Sequence, residues 1–277
     1  MRLESLPREL RERSHRRRLQ LYVVGLGGTG TTTMCDIFEH YRAAHEVDRR
    51  RMLPITNAER MGRLSPARRR WELRRRNVRF RLEVDSAAFL TLFVPELARM
   101  YPRARFVVLL RDCFTWMDTR IEKWLRSGET LTDLTDWAGP YRWDDYGVKW
   151  AVTPSPEDGP LVERGLPPVG SLAKRWGETH ADLLAVAPRD RTLVLRTEDI
   201  DTSLERLAEF CGVDVSTLTP GVHRNALASR ERLLARVSRD HVVREAERHC
   251  TPVMEQYWGP DWRTLVHRTP GRDTVTP

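Results

Sequence analysis

The stretch Leu21 to Met34 (LYVVGLGGTGTTTM) constrains what this chain can fold into more than any other. A short apolar run, Leu21 to Val24, breaks into glycines and then into three consecutive threonines. Met34, Ile37, Phe38 and Tyr41 follow at helical spacing, so the pattern predicts a buried strand, a tight turn and a helix over roughly 20–44. Glycines at 25, 27, 28 and 30 let the backbone turn sharply and approach a ligand closely. The N–H groups opening such a helix favour an anion, and Thr31, Thr32 and Thr33 add hydroxyl donors. The stretch has the makings of a phosphate cradle.

Two nucleotide motifs can be tested against it directly. A Walker A loop is excluded, because Gly30 is followed by Thr31 where that motif needs lysine. A dinucleotide fingerprint fits literally: Gly25, Gly27 and Gly30 spell G-x-G-x-x-G, and Asp48 lies near the ribose-binding distance. That reading implies an NAD(P)-dependent oxidoreductase. Against it, His45-Glu46-Val47 is too short and polar for the strand that should carry the acid. The loop alone leaves the choice open.

The formal charge of +8 suits a small, highly anionic cofactor or an acidic acceptor. Nucleic acid is not expected as a partner: lysine occurs only at 123, 149 and 174, and no nucleic-acid module or zinc spacing is present. Cys35, Cys113, Cys211 and Cys250 are scattered, as thiols of a reducing compartment are, and no metal site is expected. No apolar run approaches membrane-spanning length, and the arginine-rich start lacks a signal-peptide core, so the expectation is a cytoplasmic protein with no membrane contact.

Along the chain, residues 1–19 read as a mobile basic arm, 20–266 as a single α/β domain, and 267–277 as a tail. The arginine runs at 49–51, 68–70 and 74–76 read as solvated faces of connecting helices. Phe80 to Val84 predicts a second strand ending at Asp85-Ser86, and Pro95 should bend or split the helix that follows. Arg105 to Leu110 (RFVVLL) is the cleanest strand, with Asp112 able to cap the next helix. Residues 127–170 are aromatic-rich with little periodicity and read as a lid or acceptor-binding insertion, with Trp137, Tyr141, Trp143, Tyr146 and Trp150 available to an acceptor. Helices are expected over 172–186 and 236–257, with a strand at Thr192 to Leu195 between them. Strands alternating with helices give an α/β fold, a mainly parallel sheet with helices on both faces.

Arg111 ends the strand RFVVLL, and Thr119 follows eight residues later on the next helix. A guanidinium and a hydroxyl so spaced can share one phosphate, which a dehydrogenase does not require. With Thr29-Gly30-Thr31-Thr32 and the box Thr197-Glu198-Asp199-Ile200, three segments stand in order. They resemble the sulfotransferases that use 3′-phosphoadenosine 5′-phosphosulfate (PAPS), whose loop reads (K/R)-(S/T)-G-(S/T)-T. The segment R-D-C-F-T-W-M-D is similar to a bacterial branch carrying R-D-C-(Y/F)-S-W-(L/M)-D. The resemblance covers about Leu21 to Cys211.

The resemblance implies a P-loop-like three-layer fold and transfer of a sulfonate from PAPS to a hydroxyl or amine of a small-molecule or glycan acceptor, such as a secondary metabolite. It assigns Gly27, Gly28, Thr29, Gly30, Thr31, Thr32 and Thr33 to the donor loop, and Arg111 and Thr119 to the 3′-phosphate. Gly28 stands where the family carries a basic residue, so either Lys123 or an arginine near Arg49 reaches in, or turnover is slow, or catalysis is lost and the chain is a non-catalytic nucleotide binder. Glu46 is the first candidate for the base that takes the acceptor's proton, with His45 second and Asp85 third.

Overall fold

The computed structural model describes residues 17–133, 139–221 and 231–267. In chain order its main elements are β1 (Leu21–Gly25), α1 (Thr31–Ile37), β2 (Ala43–His45), α2 (Arg49–Arg60), α3 (Pro66–Phe80), β3 (Val84–Ser86), α4 (Val94–Met100), β4 (Arg105–Leu110), α5 (Cys113–Ser127), α6 (Val169–Val186), β5 (Thr192–Arg196), α7 (Leu204–Cys211) and α8 (Arg239–Trp258). They fall into two compact units. One takes the described residues up to 109 together with 186–221; the other takes 110–185 and those from 231 onward.

The first unit holds the sheet, in the order β2-β3-β1-β4-β5. β1 is its middle strand and is buried throughout, pairing parallel with β3 (Leu21 opposite Val84) and with β4 (Gly25 opposite Leu109). A parallel strand covered on both faces reads as an unbroken apolar run, which is why Leu21 to Val24 and Arg105 to Leu110 stand out in the sequence. Alternation along β1 sends Leu21 and Val23 into a cluster with Met34 and Ile37 of α1, Phe38 just after it, and Leu207 and Cys211 of α7. Tyr22 turns the other way and stacks on Phe106, ring centroids 5.6 Å apart. Right-handed crossovers put the β1-to-β2 and β2-to-β3 connections on opposite faces, so helices cover both.

Three local expectations change. α1 ends at Ile37 and the chain re-enters the sheet as β2 by Ala43, where a helix to residue 44 was expected. Pairing of Ala43 and His45 with Val84 and Ser86 overrides the helical preference of two alanines. The strand expected at Phe80 to Val84 starts only at Val84, because α3 runs on through Phe80 and closes at Arg81 in a left-handed conformation, φ 47°. The arginine runs are also less solvated than expected: Glu72, 1 % exposed, accepts from Arg51 and Arg68, and Arg76 is buried. Pro95 does split its helix, standing in the first turn of α4 after a 3₁₀ segment over Ala88–Phe93.

The second unit is helical. Asp112 caps α5 as expected, its Oδ1 accepting from the Thr115 amide at 2.9 Å. Gly177 of α6 meets α8 at backbone distance: a Cβ there would fall 1.8 Å from the His249 carbonyl oxygen. His180 is fully buried edge-on to Trp176, and burial pushes its pKa down to about 3, so it is neutral. Of the stretch 127–170, residues 134–138, with Trp137, lie outside the described residues. The rest carries short helical turns over Gly139–Arg142, Trp143–Lys149 and Gly159–Val162. Tyr146 in the second turn and Trp150 just after it are buried, and the Trp150 indole donates to Glu178 at 3.1 Å. Of the basic arm, Arg18 is described and donates to Glu83 at 3.2 Å.

Candidate active site

The turn after β1 is held almost wholly by backbone. Gly25, Gly28 and Gly30 have φ of 143°, 97° and 101°, a region that side chains with a Cβ rarely adopt. At Gly25 a Cβ would also fall 2.6 Å from the Leu109 carbonyl oxygen, and at Gly30 it would fall 2.7 Å from Ile200 Cδ1. Thr29 is fully buried and donates its hydroxyl to the Leu26 carbonyl at 2.8 Å, so its side chain closes the turn. Two hydroxyls from other strand ends fasten the loop: Ser86 donates to the Thr31 carbonyl at 2.7 Å and Thr197 to that of Thr29 at 2.9 Å. Sequence reasoning did not assign either of these two supports, although both stand directly beside residues it had singled out. Thr32 is half-buried, and Thr31 and Thr33 are buried.

Three candidate proton acceptors share this unit. His45, exposed at the end of β2, lies with Nε2 3.0 Å from Thr31 Oγ1. Glu46 follows the strand rather than ending a helix; it is half-buried at φ 47°, its amide donates to the Ser86 carbonyl, and its carboxylate pairs with Arg49 at 3.3 Å. Asp85 is buried within β3 and held by both terminal nitrogens of Arg76. Burial pushes the Asp85 carboxyl up while the Arg76 charge opposes that shift.

The second unit holds the rest. Arg111 Nε donates to Thr115 Oγ1 at 3.1 Å, the Thr115 hydroxyl donates in turn to Asp112, and the Arg111 carbonyl accepts from Trp176 at 3.0 Å. Thr115 is thus a further member of this cluster, one helical turn after the arginine. Thr119 is buried and donates to the Thr115 carbonyl at 2.8 Å, while Lys123 is exposed on α5. Asp118, also on α5, has its pKa pushed up to about 6. Burial is the main cause and Glu122 adds to it, against Arg111 and Arg232.

The sheet order bears on the dinucleotide reading. In that fold β2, whose acid binds ribose, lies next to β1. Here β3 stands between them, and Asp48 pairs with Arg75 at 3.5 Å. Among the described residues no group of three or more His, Cys, Asp or Glu could hold a metal, and no helix is long and apolar enough to cross a membrane.

The family model described as "Sulfotransferase domain" matches residues 20–229. Among solved structures, the chain is similar to a sulfotransferase from Alicyclobacillus acidocaldarius, at 13% identity over 91% of this chain and 97% of that one, with a TM-score of 0.47. It is also similar to the sulfotransferase domain of the Synechococcus PCC 7002 olefin synthase, at 13% identity over 83% and 84% of the two chains, with a TM-score of 0.37. No curated protein matches it.

Proposed function

The chain belongs to the sulfotransferase domain family, and on that footing we propose that it moves a sulfonate from PAPS to a hydroxyl or amine of a small-molecule or glycan acceptor. The observation that carries the reading is the glycine turn at the carboxyl end of the middle strand, lined by Thr31 and Thr32 and sterically closed to side chains at Gly25 and Gly30. Ligands of open α/β sheets bind at that end of the strands. Gly27 to Thr33 take the 5′-phosphosulfate, and Arg111 with Thr119 takes the 3′-phosphate. Arginine suits that role because its planar fork matches paired phosphate oxygens.

Transfer runs in line: the acceptor oxygen attacks sulfur, and negative charge builds on the bridging oxygen of the departing 5′-phosphate. Loop hydroxyls and amides stabilise that charge. Glu46 takes the acceptor's proton. Among the three acids and bases near the loop, Asp85 is committed to Arg76 and His45 to Thr31, which leaves Glu46 with only an ion pair to a half-exposed arginine.

The test is incubation with PAPS and a panel of hydroxyl and amine acceptors, followed by release of 3′,5′-bisphosphoadenosine. Glu46→Gln should lower turnover by roughly 10²–10⁴ with nucleotide affinity little changed. Wild-type turnover in that variant removes Glu46 from the role. Gly28 favours a second reading, a relative that binds the nucleotide without turning it over; binding without release under any acceptor would select it.

A further inference from the structure

The donor loop has no side chain at Gly28, so the positive charge that a phosphosulfate requires must come from elsewhere. One basic group of the first unit touches the loop, an imidazole. His45 Nε2 lies 3.0 Å from the hydroxyl of Thr31. Thr31 is fixed from the other side by Ser86, which donates to its carbonyl at 2.7 Å, so the hydroxyl is presented by a pinned residue. We infer that His45 supplies the donor loop's missing charge through Thr31, rather than serving as the base; this rests on the sulfonate-donor reading above.

The chemistry follows from which atom carries the hydrogen. When Nε2 is bare, it accepts the Thr31 proton, and the hydroxyl is turned away from the loop. When the imidazole is protonated, Nε2–H donates to Thr31 Oγ1. The hydroxyl hydrogen is then released to an anion in the loop, with a positive charge directly behind it. An anion therefore favours the imidazolium, and the imidazolium favours the anion, which is reciprocal by linkage. The ionisable groups on the surrounding elements are Asp36 and Cys35 on α1, Asp85 on β3, and Glu46 and Asp48 in the connection to α2. Asp85 is paired with Arg76, Glu46 with Arg49 and Asp48 with Arg75, while burial pushes the Cys35 thiol up to about 12 and keeps it neutral. His45 is the group among them whose ordinary range spans neutral pH.

The experiment is calorimetric titration of the full chain with inorganic sulfate, whose charge is constant between pH 5.5 and 8.5, and with 3′,5′-bisphosphoadenosine. Wild-type affinity for sulfate should fall by about tenfold from pH 5.5 to 8.5 as His45 loses its proton. His45→Ala should be flat and weak across the range. His45→Gln should be flat but stronger than His45→Ala, because its amide N–H still donates to Thr31 without the charge. His45 is exposed, so both variants keep the fold, which their circular dichroism checks. A wild-type affinity independent of pH, or an unchanged slope in His45→Ala, overturns the inference. A His45-dependent slope with sulfate and no binding of the nucleotide keeps His45 as the loop's cation and removes the PAPS reading. Binding of neither probe removes both.

Discussion

The loop after β1 is made of backbone: Gly25 and Gly30 in conformations side chains avoid, with Thr29 and Ser86 used as internal fasteners. The segment after β4 is made of side chains, with Arg111 held by Thr115, Thr115 by Asp112, and Asp118 raised towards neutrality nearby. Both suit an anion, but they fail differently. A backbone cradle tolerates changes in side chains that merely line it and none at its glycines. A cluster of side chains survives as a fold when its arginine is removed and loses only the charge it presents. The first therefore couples binding to stability, and the second separates them.

The largest effect should come from breaking the backbone cradle. Gly25→Ala sets a Cβ against the Leu109 carbonyl, a paired strand atom that cannot swing aside, at a φ of 143°. Strain and overpacking together predict a loss of about 3–5 kcal/mol in urea unfolding. A loss below about 1 kcal/mol would mean that the ends of β1 and β4 can part, and the contrast between the two regions would collapse.

Arg111→Ala is the counterpart in the second region. Preference for 3′,5′-bisphosphoadenosine over adenosine 5′-phosphate should weaken by about 1.5–3 kcal/mol in calorimetry, with the unfolding midpoint nearly unmoved. A large drop in stability would show that the guanidinium is as structural as the glycines.

Asp118→Asn sharpens the comparison with the smallest effect. The folded pKa of Asp118, about 6, lies above its ordinary value. The stability this group contributes is thus fully present below the unfolded pKa and lost as pH rises through about 6. The asparagine variant should remove that slope and melt about 1–3 °C higher than the wild type at pH 8, with no gain at pH 4. An equal Tm at both values would mean that Asp118 carries no penalty for its charge beside Glu122.

How much of this was legible depended on whether a residue's role is set by its neighbours in sequence or across the sheet. β1 and β4 were legible because complete burial leaves a continuous apolar run, and Asp112 and Pro95 because capping and helix-splitting are local. β2 was not, since Ala43 to His45 carry no strand signature and gain their conformation only from β3. Missing β2 hid the contact between His45 and Thr31, which exists because that strand ends beside α1. Arg76 was read as solvated because nothing near it in sequence reveals that Asp85 would be brought under it. Within the loop, Thr29 turns inward to Leu26, a use no motif announces.

The strand order sets a timetable for synthesis. β4 is complete at Leu110, yet its outer neighbour β5 begins only at Thr192, after residues that belong to the other unit. At about 5–20 residues per second, β4 stands as an open edge for several seconds on the ribosome. Val107 and Leu109 flank that edge with apolar side chains, the kind of surface that invites pairing with another chain. A nascent chain stopped before residue 192 is therefore the aggregation-prone species of this protein, and a chaperone's opportunity closes when β5 docks.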